Sequence, residues 1–156
     1  MFSKSGKVVA GLAVTVLLAI QLVQPERTNP RSDPRTSFEA VANPPRQVAS
    51  SLRRACGDCH SNQTNWPWYS RVSPVSWFIA RDVREGRAHF NLSAWNQPAA
   101  EQEAPEGGEL CAEVKAGKMP PRSYTTLHPA NRLSASELAA LCAFPFAESA
   151  AGYPGE

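Results

Sequence analysis

The sequence predicts an all-α fold of about four short helices joined by long irregular loops, with a separate apolar helix at the N-terminus. Three observations carry this. Fourteen prolines in 156 residues cut the chain into short pieces, because proline breaks a helix interior. Four stretches place apolar residues at helical spacing between start and stop residues. The run from Val8 to Val23 is apolar except for Gly11, Thr15 and Gln21.

That run follows Lys4 and Lys7 and is slightly shorter than the ~20 residues that span a bilayer comfortably, a gap that tilt and local thinning close. Ala19-Ile20-Gln21 supplies no small-x-small cleavage site, and Ala40-Val41-Ala42 lies too far downstream. Residues 1–23 therefore read as an uncleaved signal anchor in preference to a cleaved signal. Lys4 and Lys7 stay inside under the positive-inside rule, which puts the rest of the chain on the outer side. Residues 24–42, with Pro25, Pro30, Pro34 and mixed charge, read as a tether.

The folded domain is expected over residues 43–147. Asn43 reads as the cap of a first helix whose opening turn accepts Pro44 and Pro45, with Val48, Leu52 and Ala55 on one stripe. Ser73-Pro74 opens a second helix that runs to Glu85 and stops at Gly86, its apolar side formed by Val75, Phe78, Ile79 and Val83. Gln97 to Pro105 reads as a surface loop. A third helix covers Glu106 to Ala116, with Leu110 and Val114 inward and Gly117 as the stop. Ser134 and Glu137 form a capping box at the start of the fourth, which Pro145 ends. Residues 148–156 read as a flexible tail.

The chemistry centres on Cys56-Gly57-Asp58-Cys59-His60. C-x-x-C-H is the sequence form of c-type haem attachment: two thiols three positions apart reach the two vinyl groups of one porphyrin, and the next residue brings an imidazole to the iron. Zinc would want a second ligand pair, but Cys111 and Cys142 stand alone and far apart; a thioredoxin-like dithiol would want a βαβ context, which is not visible. Cys56 and Cys59 are thus the expected thioether positions, and His60 the expected proximal iron ligand, of one covalent haem c.

Met119, in Lys118-Met119-Pro120-Pro121, is the one methionine besides the initiator. Its thioether suits the sixth position of such a haem, and two prolines stiffen the loop that presents it. His128 and His89 compete for the same position. Trp66, Trp68 and Tyr69 read as core aromatics or as haem-pocket residues. Arg87, with Arg71 and Arg81, is a candidate partner for haem propionates, against the ordinary reading of solvated surface charge. Cys111 and Cys142 fall on the third and fourth helices, and a disulfide or two buried thiols fit them equally.

Several blocks then recur in order: Cys56-Gly57-Asp58-Cys59-His60-Ser61-Asn62, Trp66-Pro67-Trp68-Tyr69-Ser70, Pro74-Val75-Ser76-Trp77, Glu85-Gly86-Arg87, Met119-Pro120-Pro121 with Tyr124, and Leu127-His128-Pro129. From about Pro44 to Leu141 the chain resembles the bacterial haem-binding domain family of small c-type cytochromes. The resemblance implies a compact helical domain with one covalent haem, exported and often membrane-tethered, with Met119 in the distal loop. The chain departs from it after the last helix, where Cys142-Ala143-Phe144 stands in place of an expected Trp.

Together these readings predict a small cytochrome c-like bundle around one haem, anchored in the bacterial inner membrane by a single pass with the haem domain in the periplasm. Electron transfer is the favoured function, a carrier rather than an enzyme; a haem peroxidase or a gas or redox sensor with an open distal iron is the alternative. The expected partners are the membrane, through residues 1–23, and redox proteins, such as a respiratory or photosynthetic membrane complex. A net charge of +2 with no long basic run argues against nucleic acid.

Overall fold

A computed structural model describes residues 4–95 and 107–146. Among them every regular element is helical. In chain order the helices are α1 (Lys4–Ile20), α2 (Phe38–Ala42), α3 (Arg46–Ala55), α4 (Gly57–His60), α5 (Val75–His89), α6 (Gly107–Lys115), α7 (Arg122–Leu127) and α8 (Ala135–Ala143). Short 3-10 turns lie at Pro34–Thr36, Trp68–Arg71 and Pro129–Asn131. The count of about four helices behind the N-terminal one is therefore too low: α2, α4 and α7 have no more than six residues each, too few for a periodic pattern to register. The tips of the expected anchor at residues 1–3, the loop at 97–105 and the tail at 148–156 lie outside the described residues.

The described chain forms two compact units, one from the residues up to Thr28 with Asn65–Asp82, the other from Asn29–Thr64 with the residues from Val83 on. In the first unit α1 buries none of its residues. Its 17 residues span about 25 Å at 1.5 Å each. No helix among the described residues is long and apolar enough to cross a membrane. The turn after α1 is held by side chains: Gln21 Nε2 donates to the Ser73 carbonyl and its Oε1 accepts from the Ser73 amide, both at 2.9 Å, while Trp77 Nε1 donates to the Val23 carbonyl at 2.8 Å.

The core of the second unit contains Phe38, Val48, Leu52, Trp95, Leu110, Leu141 and Phe146. Val48, Leu52 and Ala55 are buried, as the α3 stripe requires. Phe38 corrects the tether expected over residues 24–42. It is 2 % exposed, packs edge-on against Trp95 at 4.7 Å, and its amide donates to the Leu92 carbonyl. Burying a Phe contributes about 2 kcal/mol, so this part of the chain is folded rather than a linker. Asn43 differs too. It adopts the left-handed conformation, φ 41°, and closes α2 instead of opening α3, whose N-cap is Pro45.

α5 also departs from expectation. It continues through Gly86 to His89, and its inward residues are Ser76, Ala80, Val83 and Gly86, whereas Val75 and Phe78 are exposed. A stripe of small residues lets a helix backbone come close to its neighbour. α6 stops where expected, at Gly117 with φ 69°. α8 opens on the complete Ser134/Glu137 capping box, and a Cys111–Cys142 disulfide joins it to α6.

Candidate functional site

α3 ends at Ala55 and Cys56 caps it, after which α4 makes a single turn from Gly57 to His60. One helical turn puts positions i and i+3 on the same side, so Cys56 and Cys59 face together. Neither is in a disulfide. Burial first, and then the neighbouring Cys59, push the Cys56 thiol up to about 12. It stays protonated at neutral pH, unlike the depressed thiol of a redox dithiol.

His60 is buried at the end of this turn, 7 % exposed. Its Nδ1 lies 3.4 Å from the Phe90 carbonyl, and its ring stacks on Phe90 at 4.0 Å and 11°. A carbonyl only accepts, so Nδ1 carries the proton and Nε2 keeps its lone pair. Burial lowers the imidazole pKa, which favours the neutral, ligating form. The main chain holds the same residue, since the Leu92 amide donates to the His60 carbonyl at 2.7 Å.

Three further groups lock the turn. Ser61 Oγ donates to the Gly57 carbonyl and Thr64 Oγ1 to the Asp58 carbonyl, each at 2.7 Å. Arg87 Nε donates to the Ser61 carbonyl and its Nη2 to Thr64 Oγ1, each at 2.8 Å, with Asn29 Oδ1 also in reach. The guanidinium of Arg87, a candidate partner for propionates by sequence, braces the segment that follows the motif. The sequence reads Gly86 as a helix stop, yet a Cβ on it would sit 2.8 Å from the Cys59 carbonyl oxygen. It is glycine because α5 rides against the backbone of the second cysteine of the motif, a reason no local pattern reveals.

Met119 follows Gly117 and is 39 % exposed. The Lys118 and Met119 amides donate to the Glu113 carbonyl, at 3.1 and 3.3 Å. The structure brings α7, just beyond Pro121, to the motif: Tyr124 Oη donates to Asp58 Oδ2 at 2.6 Å. Asn131 Nδ2 donates to the same phenol oxygen, and His128 stacks on the Tyr124 ring at 4.6 Å. His128 is thus engaged with Tyr124, and His89 is exposed at the end of α5. Neither the Asp58 bond nor Gly86 was found by sequence reasoning, though both residues stand inside blocks that it singled out.

Trp66, Trp68 and Tyr69 belong to the other compact unit. Trp68 is 78 % exposed and meets Tyr69 edge-on at 5.8 Å, so it is not a core aromatic: the proline-rich sequence around it forms a 3-10 turn. A buried donor that was not singled out is Trp95 Nε1, which has no hydrogen-bond partner among the described residues.

The residues fit a covalently held haem: two cysteines on one turn with the Cys56 thiol held protonated, a buried neutral imidazole with Nε2 free of the Phe90 bond, and a buried indole N–H open to an acceptor. No group of three or more metal-ligating side chains forms a cation site among the described residues. A family model described as a haem-binding domain matches residues 15–145. No curated protein and no solved structure gives a significant match.

Proposed function

Since the chain belongs to the haem-binding domain family and is a haem protein, we propose that it holds one haem c through Cys56 and Cys59, takes His60 and Met119 as the iron ligands, and carries single electrons. The carrying observation is the C-x-x-C-H turn with His60 buried and its Nδ1 bonded to Phe90. When bound, the haem supplies a one-electron iron couple, whose potential a Met/His ligand pair raises. Burial keeps His60 neutral, and the Phe90 carbonyl holds its proton on Nδ1. Cys56, held as a protonated thiol by burial, and Cys59 would supply the two sulfurs that hold the haem. Met119 offers a partly exposed thioether, whereas His128 would have to leave its stack on Tyr124 to ligate.

Absorption spectroscopy tests this reading. The oxidised holoprotein is expected to show a thioether-to-iron band at the red edge of the visible spectrum that Met119→Ala removes. Rapid carbon monoxide binding by the reduced wild type would overturn it in favour of an open iron face and the chemistry of a peroxidase or sensor.

The proposed location is the outer side of the bacterial inner membrane, with residues 1–23 as the anchor and redox proteins as partners. The exposed apolar side chains of α1, from Val8 to Leu18, support membrane contact. α1 at about 25 Å is shorter than the ~30 Å hydrocarbon core. Recovery of the holoprotein in the soluble fraction of disrupted cells would refute the anchor.

A further inference from the structure

The Met119 loop is held differently at its two ends. Toward α6, two main-chain amides share the Glu113 carbonyl, and Lys118 pairs with the Glu113 carboxylate at 2.8 Å. Toward α7, a phenol-to-carboxylate hydrogen bond of 2.6 Å runs from Tyr124 to Asp58. Asp58 stands between the two attachment cysteines, so this bond joins the loop directly to the turn that carries both thiols. The region around it is braced as well: Asn131 donates to the phenol oxygen, His128 covers the ring, and Arg54 of α3 donates to the carbonyls of Ala130 and Arg132.

We propose that the Tyr124–Asp58 hydrogen bond is a latch that sets the Met119 loop against the haem-attachment turn and so governs whether the thioether ligates the iron. The inference rests on the His60/Met119 reading. Four residues separate Met119 from Tyr124, and two of them, Pro120 and Pro121, have φ fixed by their rings. A displacement at Tyr124 is therefore passed to Met119 rather than absorbed between them. A hydrogen bond to a carboxylate is roughly twice as strong as a neutral one, and this one closes the loop onto the motif. Asp58 and Tyr124 are positioning residues that act through Met119.

The test compares holoprotein variants by the thioether-to-iron band, by carbon monoxide binding to the reduced form, and by amide hydrogen exchange of residues 118–127. Tyr124→Phe and Asp58→Ala are each expected to weaken the band, to raise the carbon monoxide binding rate about tenfold, and to speed exchange in the loop. Asp58→Asn keeps an acceptor oxygen and is expected to restore most of the band. The double variant Asp58→Ala/Tyr124→Phe is expected to be no worse than either single one, because both remove the same bond. A band and a binding rate unchanged in Tyr124→Phe, with the band present in the wild type, would overturn the latch. If the wild type itself lacks the band, or Met119→Ala leaves it intact, the ligation reading fails and the latch's control of ligation fails with it. Exchange in Tyr124→Phe then still reports whether the bond holds the loop.

Discussion

The segment carrying His60 and the segment carrying Met119 differ in how firmly the protein holds them. His60 is buried, with its ring stacked on Phe90, its Nδ1 on a carbonyl, and its own carbonyl on the Leu92 amide. Met119 is 39 % exposed, on a loop fastened at Glu113 and through Tyr124. The difference teaches a division of labour. The C-x-x-C-H side is set by packing that cannot shift without disturbing the core, whereas the proposed far-face ligand hangs on a few polar contacts and is the adjustable side.

Five variants sharpen or break that contrast. The largest effect falls on the Met119 side: the Cys111–Cys142 disulfide ties α6 to α8 across 31 residues of chain, and α6 carries Glu113. Cys111→Ser/Cys142→Ser is expected to cost about 3–4 kcal/mol on the chain-entropy estimate, read from denaturant midpoints, and to weaken the thioether band as α6 loosens. On the attachment side, Gly86→Ala pushes a methyl into the Cys59 carbonyl 2.8 Å away and is expected to cost about 2 kcal/mol in thermal unfolding. An unchanged melting temperature would show that α5 does not set the attachment turn.

The α8 cap gives a smaller, pH-dependent effect. The Ser134 amide, then Arg54 and the Ser134 hydroxyl, hold the Glu137 carboxyl at about 2, below its ordinary 4.5. Its folded pKa is depressed, so its stabilisation is full above about 4.5 and is lost as the pH falls toward 2. The melting temperature of Glu137→Gln is expected to fall less steeply over that window than that of the wild type. Ser134→Ala is expected to cost about 1 kcal/mol at neutral pH. The smallest effect is expected from Met119→Ala in the haem-free chain, no more than about 0.5 kcal/mol for so exposed a side chain, whereas the holoprotein loses the band completely. A large destabilisation of the haem-free chain would mean that Met119 packs as a core residue.

What the sequence shows plainly is what local chemistry writes into consecutive residues. The C-x-x-C-H turn, the α3 stripe of Val48, Leu52 and Ala55, the Ser134/Glu137 box and the Gly117 stop all depend on neighbours within one or two turns. Phe38 escapes that reading because α2 is five residues long and sits among prolines and charges; its burial is decided by Trp95 and Phe146, more than fifty residues away. Gly86 and Arg87 carry ambiguous local signals, a stop and a surface charge, that become a close approach and a brace only when α5 lies on the motif. The apolar face of α5 misleads for the same reason: its large residues are exposed and its small ones buried. Asp58 looks like a filler position between cysteines until Tyr124 arrives from elsewhere in the chain.

The central claim is covalent attachment at Cys56 and Cys59, and mass spectrometry of the denatured holoprotein tests it most directly. The mass is expected to exceed that of the polypeptide by one haem, to survive acidified organic extraction, and to fall to the bare chain in Cys56→Ser/Cys59→Ser. A haem that extracts completely and leaves the wild-type polypeptide at its own mass would contradict the claim.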